Sequence, residues 1–386
     1  MRDLRLLTFV SAITFVAMGL TLPVMTVYLE DLGASYVEIS LILTSFTLTA
    51  LLTNYASGRL SDRLGRRKPL LVGGLLLLAA AYFWLGRVPN ATLAWPARIL
   101  EGIGSGIYGT LSLALMGDLL EHSSQRGRLM GLFRGIGSAS FAAGAVAGGW
   151  FATRISAPFV FLAAAGCYAA SALVMLSVTD RKRPASVEKQ PPLGAPVGFG
   201  GLGLPLLFLA GVFLWTTAVG AFTSMWANAM SHQGYSQQTI STLWGLAALI
   251  ELPGMAVTGI ISDVVGRAPL LAAGSFGVAL VVTAYIFVIQ WLPAVIAAQV
   301  GRGLSYGSYL ANAMTYTSEH GTPLTRGSVS GVFSAATGSG QLTGMFAGGL
   351  IVQAFGFTTL FSLCALAALS AAVCFVALHI NEKRMR

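Results

Sequence analysis

The sequence predicts an all-α membrane protein with 12 transmembrane helices in two pseudo-symmetric six-helix bundles. Of its 386 residues, 55% are hydrophobic and only 10% charged, against about 25% charged in a soluble domain. The apolar residues gather into about twelve runs, each near the roughly 20 residues that cross a bilayer. The polar loop after the second run recurs at half the chain length: Gly58-Arg-Leu-Ser-Asp62-Arg63-Leu-Gly65-Arg66 is echoed by Gly259-Ile-Ile-Ser-Asp263-Val-Val-Gly266-Arg267, 201 positions later.

Taken in order, the first span covers residues 5–29, and the acidic stretch Glu30 to Glu38 follows it outside. Span two covers 36–57, the basic loop 58–68 turns the chain, and span three covers 69–86. Span four (93–116) carries Arg98 and Glu101 and then Gly102, Gly104 and Gly106, a small-residue face that lets helices approach closely in lipid. Spans five and six cover 128–151 and 157–178. Residues 180–203, rich in Pro, Gly and charge, are too polar to span and read as a cytoplasmic linker between domains 1–179 and 204–386. The second domain supplies spans 204–230, 237–258, 269–290, 293–317, 327–352 and 357–380.

Lys and Arg cluster at both termini, in alternate loops and in the linker, which places those segments in the cytoplasm. The net charge of +9 is therefore a topology signal rather than a nucleic-acid surface. Cys167, Cys364 and Cys374 lie inside apolar runs without metal-ligand spacing. The duplication extends beyond the loop. Asp118 pairs with Glu319 at an offset of 201, Arg126-Gly127 with Arg326-Gly327 and Gly148-Gly149 with Gly348-Gly349 at 200, and Arg98 lies near the counterpart Arg302 at 204. Two such halves related by an axis along the membrane normal place a cavity at their interface.

On these residues the whole chain resembles the major facilitator superfamily, and its twelve-span drug:proton antiporter branch in particular. Gly58-x-x-x-Asp62-Arg63-x-Gly65-Arg66-Arg67 is similar to that family's signature between spans two and three, and Arg98 followed by Gly102 and Gly104 resembles an element tied to proton coupling. Gly144-x-x-x-Gly148-Gly149 and Gly340-x-x-x-Gly344-x-x-x-Gly348-Gly349 resemble the antiporter element, with Ala145 and Met345 where the family has proline. Gly19-x-x-x-Pro23 resembles the drug-efflux branch, whose acid in span one is missing here.

Three groups of residues are singled out. The gating set is Gly58, Asp62, Arg63, Gly65, Arg66 and Asp118, with Asp263, Arg267 and Glu319 as its echo. A carboxylate at a helix end can face a neighbouring helix dipole, and Arg66 is expected to bridge to Asp118; the plainer reading is that these charges fix topology. The proton-coupling or substrate set is Glu251, Arg98, Glu101 and Arg302. Glu251 falls mid-span, where a charge costs about 2.5–3.5 kcal/mol on insertion scales and therefore marks a cavity or a proton route, or else a structural Glu beside Pro253. Arg98 and Glu101 share a helical face at i, i+3, either as a working pair or as a self-neutralising one. Arg302 has no acid in its own span, and Glu251 is its candidate partner. The third set, Tyr108, Phe141, Trp215, Trp226, Trp244, Tyr306, Tyr309, Asn312 and Gln341, is placed to line a cavity or simply to pack.

The expectation is a secondary transporter working by alternating access, exporting a small amphipathic molecule in exchange for protons. A sugar efflux carrier, a lipid flippase and an uptake symporter are the alternatives within transport, and a non-transporting receptor or scaffold the alternative outside it. No catalytic triad, metal spacing or phosphate loop argues for an enzyme or a cofactor, which leaves coupling to an ion gradient or plain facilitated diffusion, with the proton gradient as the expected energy source. The expected partners are a small-molecule substrate, protons and the bilayer. The protein is expected to be a monomer in a bacterial inner membrane, both termini cytoplasmic, without nucleic acid.

Overall fold

The computed structural model describes residues 2–120, 126–179, 203–320 and 326–385. The helices are α1 (Arg2–Asp31), α2 (Tyr36–Leu64), α3 (Lys68–Leu85), α4 (Ala94–Leu119), α5 (Arg126–Arg154), α6 (Ala157–Met175), α7 (Leu206–His232), α8 (Gln237–Val265), α9 (Arg267–Val288) and α10 (Leu292–Glu319). The last helical stretch, Arg326–Met385, breaks at Gly356, whose φ of 81° and ψ of 173° are not helical. It is therefore two helices, α11 (326–355) and α12 (357–385), which brings the total among the described residues to twelve.

The helix starts follow from the sequence. Ser35 caps α2 by accepting from the Glu38 amide, the serine-to-glutamate spacing of a capping box, and Ser156 caps α6 by accepting from Phe159. The ends differ from expectation. Residues 58–64 are not loop but the last turns of α2, and Gly259 to Asp263 likewise lie within α8. Nothing between Gly58 and Leu64 breaks a helix strongly. The chain turns only at Gly65, which takes the left-handed φ of 61° while its amide bonds the Ser61 carbonyl.

Among the described residues nine helical stretches are long and apolar enough to cross a membrane, the joined α11–α12 stretch counting once. Among the described residues the chain forms two compact units: residues 2–179 with 234–245, and 203–233 with 246–385. The expected linker 180–203 lies almost wholly outside the described residues. Within the first unit α1 packs on α5 and α6, α3 on α4 and α6, and α2 on α4. Gln237 joins this unit by donating to the Pro23 carbonyl at 2.9 Å, and the Gln238 amide donates to Thr153 at 3.1 Å. Within the second, α7 packs on the α11–α12 stretch, which also borders α9, and α9 packs on α10.

Close approach between helices repeats with the duplication. A methyl group on Gly102 would stand 2.7 Å from the Phe46 carbonyl, and one on Gly303 would stand 2.6 Å from that of Ala247. Gly106 meets the Ala50 carbonyl at 2.8 Å and Gly307 the Glu251 carbonyl at 2.5 Å in the same sense. Both members of each pair are 201 positions apart, so α2–α4 and α8–α10 are the same packing unit used twice. Gly307→Ala therefore has no room without moving backbone. Overpacking of this kind costs about 1–3 kcal/mol, and the detergent-purified variant is expected to melt several degrees below the parent. Gly331→Ala, where nothing lies within 4 Å, is expected to raise melting slightly, since alanine favours the helix that glycine weakens.

Candidate functional site

The close packing of α8 on α10 sets the central feature of the second unit. Gly303 and Gly307 admit α8, and this brings Glu251, the fifteenth of the 29 residues of α8, beside the α10 turn that carries Arg302 and Tyr306. The three interact electrostatically. Arg302 is buried, whereas Glu251 and Tyr306 are half-buried. Among the described residues Glu251 makes no hydrogen bond and no ion pair. Tyr306 packs its ring 4.9 Å from that of Trp215 on α7, and Trp215 stacks almost parallel on Tyr309, at 3.5 Å and 10°.

The first unit holds its deep charges differently. Arg98 and Glu101, 5% and 4% exposed, form an ion pair one turn apart on α4, with Arg98 Nη1 donating to Glu101 Oε2. The Tyr82 hydroxyl on α3 donates to Glu101 Oε1 at 2.6 Å, and Thr21 on α1 donates to the Tyr82 oxygen at 3.3 Å. The Arg98 guanidinium lies 4.3 Å above the Phe46 ring of α2. All of these groups are buried except Phe46, which is half-buried.

The packing register corrects the pairing of Arg98 with Arg302. Because α4 and α10 superimpose at an offset of 201, Arg302 occupies the position of Glu101, and the counterpart of Arg98 is Gln299, fully buried. Glu251 matches Ala50, so the first half has no acid there. Each half thus holds one deep Arg and one deep Glu. In the first half both sit on one helix; in the second they are split between α8 and α10.

At the other end of the helices Asp118, Asp263, Arg267 and Glu319 of the expected gating set form ion pairs, with one correction. Asp118 is bridged by Arg67 at 2.6 Å, not by Arg66, which is exposed. Arg267 contacts Asp263 at 2.7 Å, Glu319 at 3.0 Å and Ser262. Since Gly74 on α3 and Gly274 on α9 pack alike at an offset of 200, Arg67 rather than Arg66 is the counterpart of Arg267. The first loop is simply one residue longer. Arg63 is exposed, Gly65 ends α2, and Gly58 lies where a methyl group would make only ordinary contact with Thr110, at 3.8 Å. The Asp62 side chain lies outside the described residues. The Arg67–Asp118 pair is partly buried, and such pairs contribute up to about 1 kcal/mol. Arg67→Ala and Asp118→Asn are expected to lower the melting temperature by a few degrees each and non-additively, while Arg66→Ala leaves it unchanged.

The aromatic and polar set divides by exposure. Trp226 and Asn312 are fully buried and present no surface to a cavity: Trp226 packs edge-on against Tyr285, and Asn312 donates to the Ser308 carbonyl at 2.7 Å. Tyr108, Trp215 and Tyr309 are also buried. Phe141, Trp244 and Tyr306 are half-buried and Gln341 is exposed. Sequence reasoning missed Tyr82, Thr21, Phe46 and Arg67. For Tyr82 a signal existed, since it is the one hydroxyl-bearing residue of α3, which is otherwise apolar after Lys68.

This architecture, two repeated six-helix bundles with deep charges and ion-paired helix ends, defines a polytopic carrier-type fold. The sequence profile of the Major Facilitator Superfamily matches residues 7–291 and 207–385, and the chain belongs to that family. It is a multi-pass integral membrane protein of a family of non-enzymatic carriers. Multidrug resistance protein 1 of Bacillus subtilis (strain 168) is 27% identical to it over 257 residues, 66% of this chain and 63% of that protein. The quinolone resistance protein NorA of Staphylococcus aureus (strain Mu50) is 26% identical over 186 residues, 48% of this chain and 47% of that protein. The matched stretch thus spans less than two thirds of either relative. The crystal structure of the nucleoside transporter NupG shares the fold, with a TM-score of 0.80 over 98% of this chain and 99% of that one, at 14% identity.

Proposed function

We propose that the protein is a secondary carrier that works by alternating access of two six-helix halves and exports a small amphipathic molecule in exchange for protons. The observation that carries this reading is Glu251: a half-buried carboxyl group at the midpoint of α8, without a hydrogen bond among the described residues and facing an arginine on a different helix. A carboxyl group binds and releases a proton without a cofactor, so the gradient itself is the energy source. A pair split between two helices changes its separation when the helices shift, whereas a pair on one rigid helix does not. Glu251 and Arg302 are accordingly the working pair, and Arg98 with Glu101 a fixed one. The half-buried aromatic rings of Tyr306 and Trp244 suit an amphipathic cargo. The drug- and quinolone-resistance relatives support the same cargo class. The basic termini support a cytoplasmic placement of both ends in a bacterial inner membrane, and the ion-paired helix ends a gating role. A monomer suffices for this scheme, and no nucleic acid enters it.

The test is flux in proteoliposomes holding purified protein, with an imposed pH gradient. Ethidium, a fluorescent quinolone and radiolabelled uridine serve as probes. Gradient-driven movement of ethidium or the quinolone is the expected result. Saturable binding of these probes without flux would place the chain among receptors, and driven movement of uridine alone would replace the cargo class.

A further inference from the structure

We propose that Tyr82 is a positioning residue for the Arg98–Glu101 ion pair, and that its phenol holds the Glu101 carboxylate in one orientation and ties the pair to α3 and α1. The functional consequence rests on the carrier reading above; the geometry stands without it.

The carboxylate of Glu101 has two oxygens, and each is taken by a donor on a different helix. Arg98 on α4 holds Oε2, and Tyr82 on α3 holds Oε1 at 2.6 Å. A short bond from a hydroxyl to an ionised acceptor is among the stronger hydrogen bonds. The Tyr82 ring cannot easily swing away, because it lies flat on Tyr168 of α6 at 5.2 Å and 16° and faces Phe161 at 6.4 Å. Its single proton is committed to Glu101, so the phenol oxygen is left to accept from Thr21, whose hydroxyl can otherwise donate to the Ala17 carbonyl at 3.1 Å. The network therefore spans α1, α3 and α4, and the fixed guanidinium above Phe46 adds α2.

The second bundle differs. There buried Tyr285 on α9 lies near Arg302, whose guanidinium only donates, so a phenol beside it accepts instead of donating as Tyr82 does to Glu101. Tyr82 is 4% exposed and has no surface with which to touch cargo, so it acts through Glu101 rather than on the substrate.

The experiment compares the full-length parent with Tyr82→Phe, Glu101→Gln and the double variant. Phenylalanine keeps the ring stack and removes only the hydroxyl. Infrared difference spectra of purified protein identify the Glu101 carboxylate band as the one absent in Glu101→Gln, and that band is expected to shift in Tyr82→Phe. In proteoliposomes the maximal ethidium flux of Tyr82→Phe is expected to fall about tenfold at unchanged half-saturation, the factor that corresponds to about 1.4 kcal/mol. In the Glu101→Gln background the same change is expected to lower it less than twofold. An unshifted band in Tyr82→Phe overturns the proposal, whatever the flux. So does an equal loss of flux in both backgrounds. If no probe moves through the parent protein, the carrier reading fails and the infrared comparison still decides the role of Tyr82.

Discussion

Replacing Glu251 by Gln is expected to reduce pH-gradient-driven flux to that of empty vesicles while leaving the fold and probe binding in place. Glutamine matches the shape of a protonated glutamate but cannot release the proton, so a cycle that returns Glu251 in its charged form stops. Little structural damage is expected, because Glu251 makes no hydrogen bond among the described residues and is half-buried. Glu251→Asp keeps the titratable group on a shorter stem and is expected to retain partial flux. Exchange of labelled for unlabelled probe, which needs no net proton movement, is expected to survive in Glu251→Gln. Unchanged driven flux in Glu251→Gln would remove the proton role from this residue.

The second large effect is on folding. Arg98→Met strips the buried Glu101 of its counter-charge, and breaking a buried pair by removing one partner costs about 3–5 kcal/mol. The stacking of the guanidinium on Phe46 adds to the loss. A melting temperature lowered by about 10 °C or more is expected. Arg98→Met combined with Glu101→Gln removes both charges and is expected to recover most of the difference. Fluorescence-detected melting in detergent reads both variants. A double variant as unstable as Arg98→Met would mean that packing around α4, not charge balance, carries the cost.

The duplication and the deep charges were legible in the sequence because both are written in rare residues. A glutamate inside an apolar run stands out, and a glycine–serine–aspartate–glycine–arginine spacing seldom repeats by accident. What escaped was set by geometry that residue spacing does not encode. The turn after α2 was assigned to its basic residues, yet polarity alone does not end a helix; the left-handed Gly65 does. The sequence offers Arg66 to Asp118, but α3 and α9 align at an offset of 200, and a one-residue difference in the loop moves the partner to Arg67. A separate three-residue shift, nearly one helical turn (204 against 201), hides the match of Arg302 with Glu101. Trp226 and Asn312 carry the residue types of a cavity wall, but only packing decides that they face inward. Tyr82 was overlooked because a tyrosine in an apolar helix bears no charge, and its partner lies 19 residues away on another helix.

In the proposed antiport, proton exchange at Glu251 is linked to cargo. Titrating purified protein with ethidium in weakly buffered detergent, and following pH with an indicator dye, measures that link directly. Saturating ethidium is expected to release protons from the parent protein and none from Glu251→Gln. Equal release from both proteins, or none from the parent while ethidium binds, would contradict it.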